Sequence, residues 1–256
     1  MKIQGKVFVV TGGASGLGAA TATYLVGQGA KVIMVDMNQE LGLEMQQRLG
    51  EHAAFVKLDV TDEHAVQVFF DNVAQQYGQL NGLVNCAGIA PSAKVLGRDG
   101  IHDFAMFQRV LNINVNGTFN MIRFAASLMA KYQLQSGEEE RGVIVNTASV
   151  AAYDGQIGQS AYAASKGAVV AMTLPLAREL AREAIRVMTI APGIMETPML
   201  KAMPQNVQDA LGQMVPFPSR LAKPEEFAHL VGHIFENSYL NGEVIRLDGA
   251  IRMQPK

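Results

Sequence analysis

The sequence predicts one doubly wound α/β domain over residues 1–256, a parallel sheet of about seven strands with helices on both faces. Apolar, β-rich runs alternate with segments of helical spacing from end to end. The first such run meets a glycine-rich turn and then a helix, the order in which open parallel sheets build ligand crevices. No internal repeat divides the 256 residues, a length common for a single α/β domain.

Composition narrows the classes. With 49% hydrophobic and 17% charged residues the chain has the make-up of an ordinary globular protein, and a formal charge of -2 gives no sign of a nucleic-acid or membrane-surface partner. One cysteine excludes an internal disulfide framework. No apolar run approaches the roughly 18 residues of a membrane span. Val7–Val10 is too short for a signal segment and the domain begins almost at Met1, so a cytoplasmic address is expected over a mitochondrial one. The charge run from Glu138 to Arg141 reads as a solvated loop.

The elements follow in order. Lys6–Val10 is the first strand, TGGASGLG the turn, and AATATYLVGQGA the first helix. Gly12, Gly16 and Gly18 let the backbone turn tightly and approach a pyrophosphate at the amides of the helix start, though their G-x-x-x-G-x-G spacing departs from G-x-G-x-x-G. Lys31–Asp36 is the second strand. An acid at its end accepts hydrogen bonds from the adenosine ribose and repels a 2′-phosphate, and neither Met37 nor Ser15 supplies a cation to hold that phosphate. NAD is therefore expected over NADP. Ala53–Val60 is the third strand, placing Asp59 and Val60 where the adenine would lie, and Leu80–Gly88 the fourth, ending in small residues that let a cofactor pass close to the backbone. Cys86 there reads as a packing residue, with no base nearby in sequence to make it a nucleophile.

One helix is expected over about 103–132. Its Asn112, Asn114 and Asn116 need partners, because a buried amide without them is costly, and one is expected to face the site. Gly142–Ser149 is the fifth strand, with Ser149 at its carboxyl edge, where a hydroxyl can bond a substrate oxygen. The next helix carries Tyr162 and Lys166, four apart and so on one face. Such pairs arise by chance in many helices; here position and company make the phenol a candidate acid/base and the ammonium the group that favours its ionised form. Pro175 is expected to kink that helix. Ile185–Gly193 is the sixth strand. From 194 to 220 regularity lapses, with four methionines and four prolines, which suits a lid over an acyl or ring-shaped substrate. Pro224 opens a final helix, in which His229 and His233 share a face without a third ligand, so no metal site is expected. EVIRLDG is the last strand.

TGGASGLG, Asp36, NCAG, Asn114, Ser149, YAASK and APG thus stand in one order along the whole chain. The chain resembles the short-chain dehydrogenase/reductase family, single-domain Rossmann-type enzymes. That resemblance implies an active tetrad of Asn114, Ser149, Tyr162 and Lys166. The tyrosine moves the proton, the lysine lowers its pKa and holds the nicotinamide ribose, the serine positions the reacting oxygen, and the asparagine holds a water of a proton relay. It also implies cofactor contacts from Gly12, Ser15, Gly16, Leu17, Gly18, Asp36, Asp59, Val60, Cys86, Ala87, Gly88, Tyr162, Lys166, Met195 and Thr197, the last at the carboxamide. A closer likeness, carried by ERGVIVNTASVAA, GQIGQSAYAASKG, RVMTIAPG, VPFPSRL and NGEVIRLDGAIRMQP, points to family members acting on acyl-CoA. It implies NAD-linked oxidation of an L-3-hydroxyacyl-CoA to the 3-ketoacyl-CoA, with branched substrates or hydroxysteroids also in view, by a homotetramer. Substrate contacts are expected from Ser149, Gln156 and Tyr162, while Met195 and Glu196 depart from the likeness in the lid. The rival readings are a hydroxysteroid dehydrogenase or other secondary-alcohol dehydrogenase, a ketoacyl reductase, and an NAD-binding scaffold.

Overall fold

The computed structural model describes every residue except Asp99, Ala202, Met203 and Lys256, and of Met199 and Lys201 the backbone alone. The strands of its main sheet are β1 (Val7–Thr11), β2 (Lys31–Asp36), β3 (Ala53–Lys57) and β4 (Gly82–Asn85), then β7 (Gly142–Thr147), β8 (Ile185–Pro192) and β9 (Val244–Leu247). A small hairpin, β5 (Leu96–Gly97) with β6 (Gly100–Ile101), stands apart. All neighbours in the main sheet run parallel, in the order β3-β2-β1-β4-β7-β8-β9.

Helices cover both faces, which is why the strands read as unbroken apolar runs. Alternation along β1 sends Val7 and Val9 to one core and Phe8 and Val10 to the other. The first core is closed by α3 (Glu63–Tyr77), α5 (Thr118–Met129) and α6 (Ser160–Leu180) through Phe69, Phe70, Met121, Ile122 and Ala177. The second is closed by α1 (Gly16–Gly27), α2 (Gln39–Leu49) and α9 (Pro224–Glu236) through Ala22, Leu25, Met45, Phe227 and Val231. The rings of Phe8 and Phe235 meet edge-on there at 4.8 Å. Strand order reverses at β1 and β4, so their carboxyl ends diverge into a crevice.

Two expectations are corrected. The single helix over 103–132 is instead α4 (Phe104–Leu111), a π turn (Asn112–Gly117) and α5. π turns appear mostly as single-turn insertions inside α-helices, and this one carries the buried Asn114. Residues 194–220 are not wholly irregular, since they form α7 (Pro198–Lys201) and α8 (Gln205–Gln213). The segment is rooted by Met195 bridging to Ala222 and by Glu196 N–H donating to Ala222 O at 2.8 Å. Its residues Ala202 and Met203 lie outside the described residues. Pro175 supplies no N–H to the preceding turn, yet α6 runs unbroken across it.

Candidate active site

The crevice begins at the β1–α1 turn. Gly12 (φ +64°) and Gly16 (φ +53°) occupy backbone conformations that side chains disfavour. A Cβ on Gly18 would fall 2.1 Å from Gly12 O, so only glycine lets α1 pack onto the turn. Ser15 caps α1 with extended backbone but no side-chain bond, so among the described residues the first-turn amides have no side-chain cap. The two walls are stitched together by Thr11 Oγ1, which accepts from the N–H groups of Cys86 and Ala87, both at 3.1 Å.

Asp36 is pinned at the rim, its Oδ2 accepting from Ala14 N–H at 3.1 Å and its Oδ1 from Asn38 N–H at 3.0 Å. Asp59 Oδ1 takes both Thr61 N–H and Thr61 Oγ1, at 2.9 and 2.7 Å. A glycine cradle that a Cβ would fill, open helix amides and a carboxylate at the end of β2 fit a dinucleotide.

Tyr162 and Lys166 project from α6 into the same crevice, with the ammonium 5.8 Å from the ring centroid. Lys166 Nζ donates to Thr147 O at 2.7 Å, and a Cβ on Gly88 would come 3.7 Å from it. Burial pushes the Lys166 pKa down to about 8. Burial also pushes the Tyr162 phenol above its ordinary value, against a hydrogen bond to Ser149 that lowers it. The expected lowering by the lysine is thus corrected, because here desolvation outweighs the favourable contacts and the ammonium is bonded to the Thr147 carbonyl. Ser149 stands two residues beyond β7, where its Oγ also accepts Ala151 N–H at 3.1 Å. Cys86 is a packing thiol pushed up to about 11 by burial, with Thr147 Oγ1 3.5 Å from its sulfur.

Asn114 is fully buried behind this surface. Its Oδ1 accepts Ile89 N–H at 2.9 Å, and its Nδ2 donates to Ile89 O at 2.9 Å and Ser165 Oγ at 3.0 Å. Both amide donors are spent on protein, so the side chain clamps the β4 loop to α6 rather than offering donors to a water.

A cavity of about 1120 Å³ joins these parts, room for two ligands side by side. Gly12, Ser15, Gly16, Leu17, Gly18, Asp36, Asp59, Val60, Cys86, Ala87, Gly88, Ser149, Gln156, Tyr162, Lys166, Met195 and Thr197 all line it, whereas Asn114 does not. Gln156 lines it with its amide committed, Nε2 donating to Gln254 O at 3.1 Å. Sequence reasoning missed Arg109, Gln159, Leu211 and Met253, which also line the cavity. Helical spacing to Ile113 marks Arg109; Met253 had no signal in sequence. The arrangement can move a proton on or off an oxygen held beside a bound dinucleotide.

Comparison with known proteins agrees with this geometry. Residues 6–208 match the family model for short chain dehydrogenase. The chain is 53% identical over 255 residues to 3-hydroxyacyl-CoA dehydrogenase type-2 of Bos taurus, covering 99% of this chain and 97% of that protein. With the protein of the same name in Homo sapiens it shares 52% identity over the same shares of each chain. The crystal structure of 3-hydroxyacyl-CoA dehydrogenase type-2 from Mycobacterium avium superposes with a TM-score of 0.93 at 39% identity, covering 100% of this chain and 98% of that one.

Proposed function

The chain belongs to the short-chain dehydrogenase family, and from that premise we propose that it reversibly oxidises the 3-hydroxyl of an L-3-hydroxyacyl-CoA to the 3-ketoacyl-CoA with NAD. One observation carries the chemistry: Ser149, Tyr162 and Lys166 converge on one end of a cavity whose other end is a dinucleotide cradle. High identity over nearly the whole of both chains to dehydrogenases named for 3-hydroxyacyl-CoA supports the substrate class.

Ser149 orients the substrate oxygen by hydrogen bond, and Tyr162 takes its proton during oxidation or returns one during reduction. Lys166, held by Thr147 O, keeps its amino group beside the phenol, where it can also hydrogen-bond the nicotinamide ribose. Gly12, Gly16, Gly18 and the α1 amides would hold the pyrophosphate, and Asp36 the adenosine ribose. When bound, the nicotinamide supplies the hydride acceptor. Asp36 supports NAD over NADP, because a 2′-phosphate would bring like charge against its carboxylate. The reading extends to a homotetramer, supported by apolar side chains left exposed on α5 and α6, Phe119 and Leu174.

The test is steady-state kinetics of acetoacetyl-CoA with NADH and with NADPH, set against a steroid alcohol with NAD. Efficient turnover of the thioester with NADH is expected, and tenfold or more weaker use of NADPH. Preference for the steroid, or equal use of both cofactors, would refute the corresponding half of the reading.

A further inference from the structure

Beyond β9 the chain folds back over the loop that follows Ser149. Asp154 accepts a hydrogen bond from Arg246 and another from the backbone N–H of Met253. Gln156 Nε2 donates to Gln254 O at 3.1 Å, and Ile157 N–H donates to Pro255 O at 3.0 Å. Three consecutive tail residues are therefore each bonded to the loop.

Arg246 anchors the turn behind them. Its Nε donates to Asp248 Oδ2 at 2.7 Å and its Nη2 to Ile251 O at 3.0 Å, while Ile251 is 1% exposed. Gly249 O accepts Phe217 N–H at 3.3 Å, tying the tail to the base of the lid. The segment thus joins two walls of the cavity, and Met253 lines the space between them.

The end of the cavity it lines is the substrate's. Asp36 and Asp59 follow β2 and β3 at one side of the sheet, whereas Ser149, the lid and the tail follow β7, β8 and β9 at the other. Other apolar side chains lining the cavity, Ile194, Leu200 and Leu211, come from the lid. A flexible thioether suits a wall against a hydrocarbon chain.

We propose that the C-terminal segment forms the acyl-side wall, with Met253 a specificity residue that limits acyl length and Asp154 a positioning residue that holds it there. This rests on the acyl-CoA reading above. Shortening Met253 opens space that additional methylenes can fill, whereas releasing its backbone lets the wall shift. The guanidinium beside Asp154 holds that carboxyl below its ordinary range, so the hydrogen-bonded anion is the working form.

The experiment compares wild type, Met253→Ala and Asp154→Asn, full length, on acetoacetyl-CoA and on long-chain 3-ketoacyl-CoA with NADH, alongside calorimetric binding of both thioesters. Met253→Ala is expected to raise the long-to-short ratio of kcat/KM by about tenfold, and the ratio of binding constants with it. Asp154→Asn is expected to move the same ratio through KM, with NADH affinity unchanged. A wild type active on thioesters combined with an unchanged ratio in Met253→Ala overturns the wall alone. A wild type inactive on every thioester overturns the acyl-CoA reading and the wall together.

Discussion

At Tyr162 two influences compete for one proton. Burial favours the neutral phenol and the Ser149 hydrogen bond favours the phenolate, and burial prevails. Neutral phenol, the acid needed to reduce a ketone, is then the form present near neutrality. Phenolate, the base needed to oxidise an alcohol, accumulates as pH rises. Oxidation is therefore expected to speed up from neutral into alkaline pH while reduction slows, as read from kcat/KM profiles in both directions. Identical profiles would count against the role. Tyr162→Phe removes the group in either direction and is expected to cost about 10² to 10⁴ in turnover while NADH still binds, checked by stopped-flow kinetics and fluorescence titration. The pairing of Tyr162 with Lys166 was legible from their separation of four. The direction of the phenol's pKa was not, because desolvation is set by what packs around the ring.

Between α4 and α5 the π turn puts Asn114 where it can serve both main-chain groups of Ile89 and the hydroxyl of Ser165. The element scale is where this residue acts, joining the β4 loop, which bounds the crevice, to the helix that carries Tyr162 and Lys166. Asn114→Ala leaves the Ile89 N–H and C=O without these partners and is expected to lower stability by about 1 to 3 kcal/mol, read from the denaturant midpoint. A midpoint equal to that of the parent would refute the clamp. Three asparagines in an apolar run signalled that one had a buried task. Which one, and for which partners, depended on a helix deformation that periodicity does not announce.

Over the whole molecule, a buried ammonium couples stability to pH. The Lys166 pKa falls from 10.5 to about 8, so between those values the unfolded chain holds a proton that the folded chain has released, and stability rises with pH across that window. Below about pH 8 the full cost is present, on the order of 3 kcal/mol. Lys166→Met is expected to raise the unfolding free energy at neutral pH by on the order of 1 kcal/mol, since loss of the bond to Thr147 O offsets part of the relief. It should also flatten the alkaline rise and abolish turnover. Denaturant unfolding at neutral pH and above pH 10 checks this, and a variant less stable than its parent at neutral pH would refute it. The buried lysine is then a cost to the fold below that window.

Strand and helix alternation, the glycine turn, the acid closing β2 and the Tyr162–Lys166 spacing were determined by the sequence alone, because each is a relation between residues close in the chain. The seven-stranded parallel sheet followed from their repetition. Only the tertiary structure decided that Asn114 clamps Ile89 and Ser165, that α7 and α8 form within residues 194–220, that burial raises one pKa and lowers another, and that Met253 lies against the loop after Ser149. Those facts depend on segments far apart in sequence being packed together and on water being excluded between them, and neither is encoded in any local spacing.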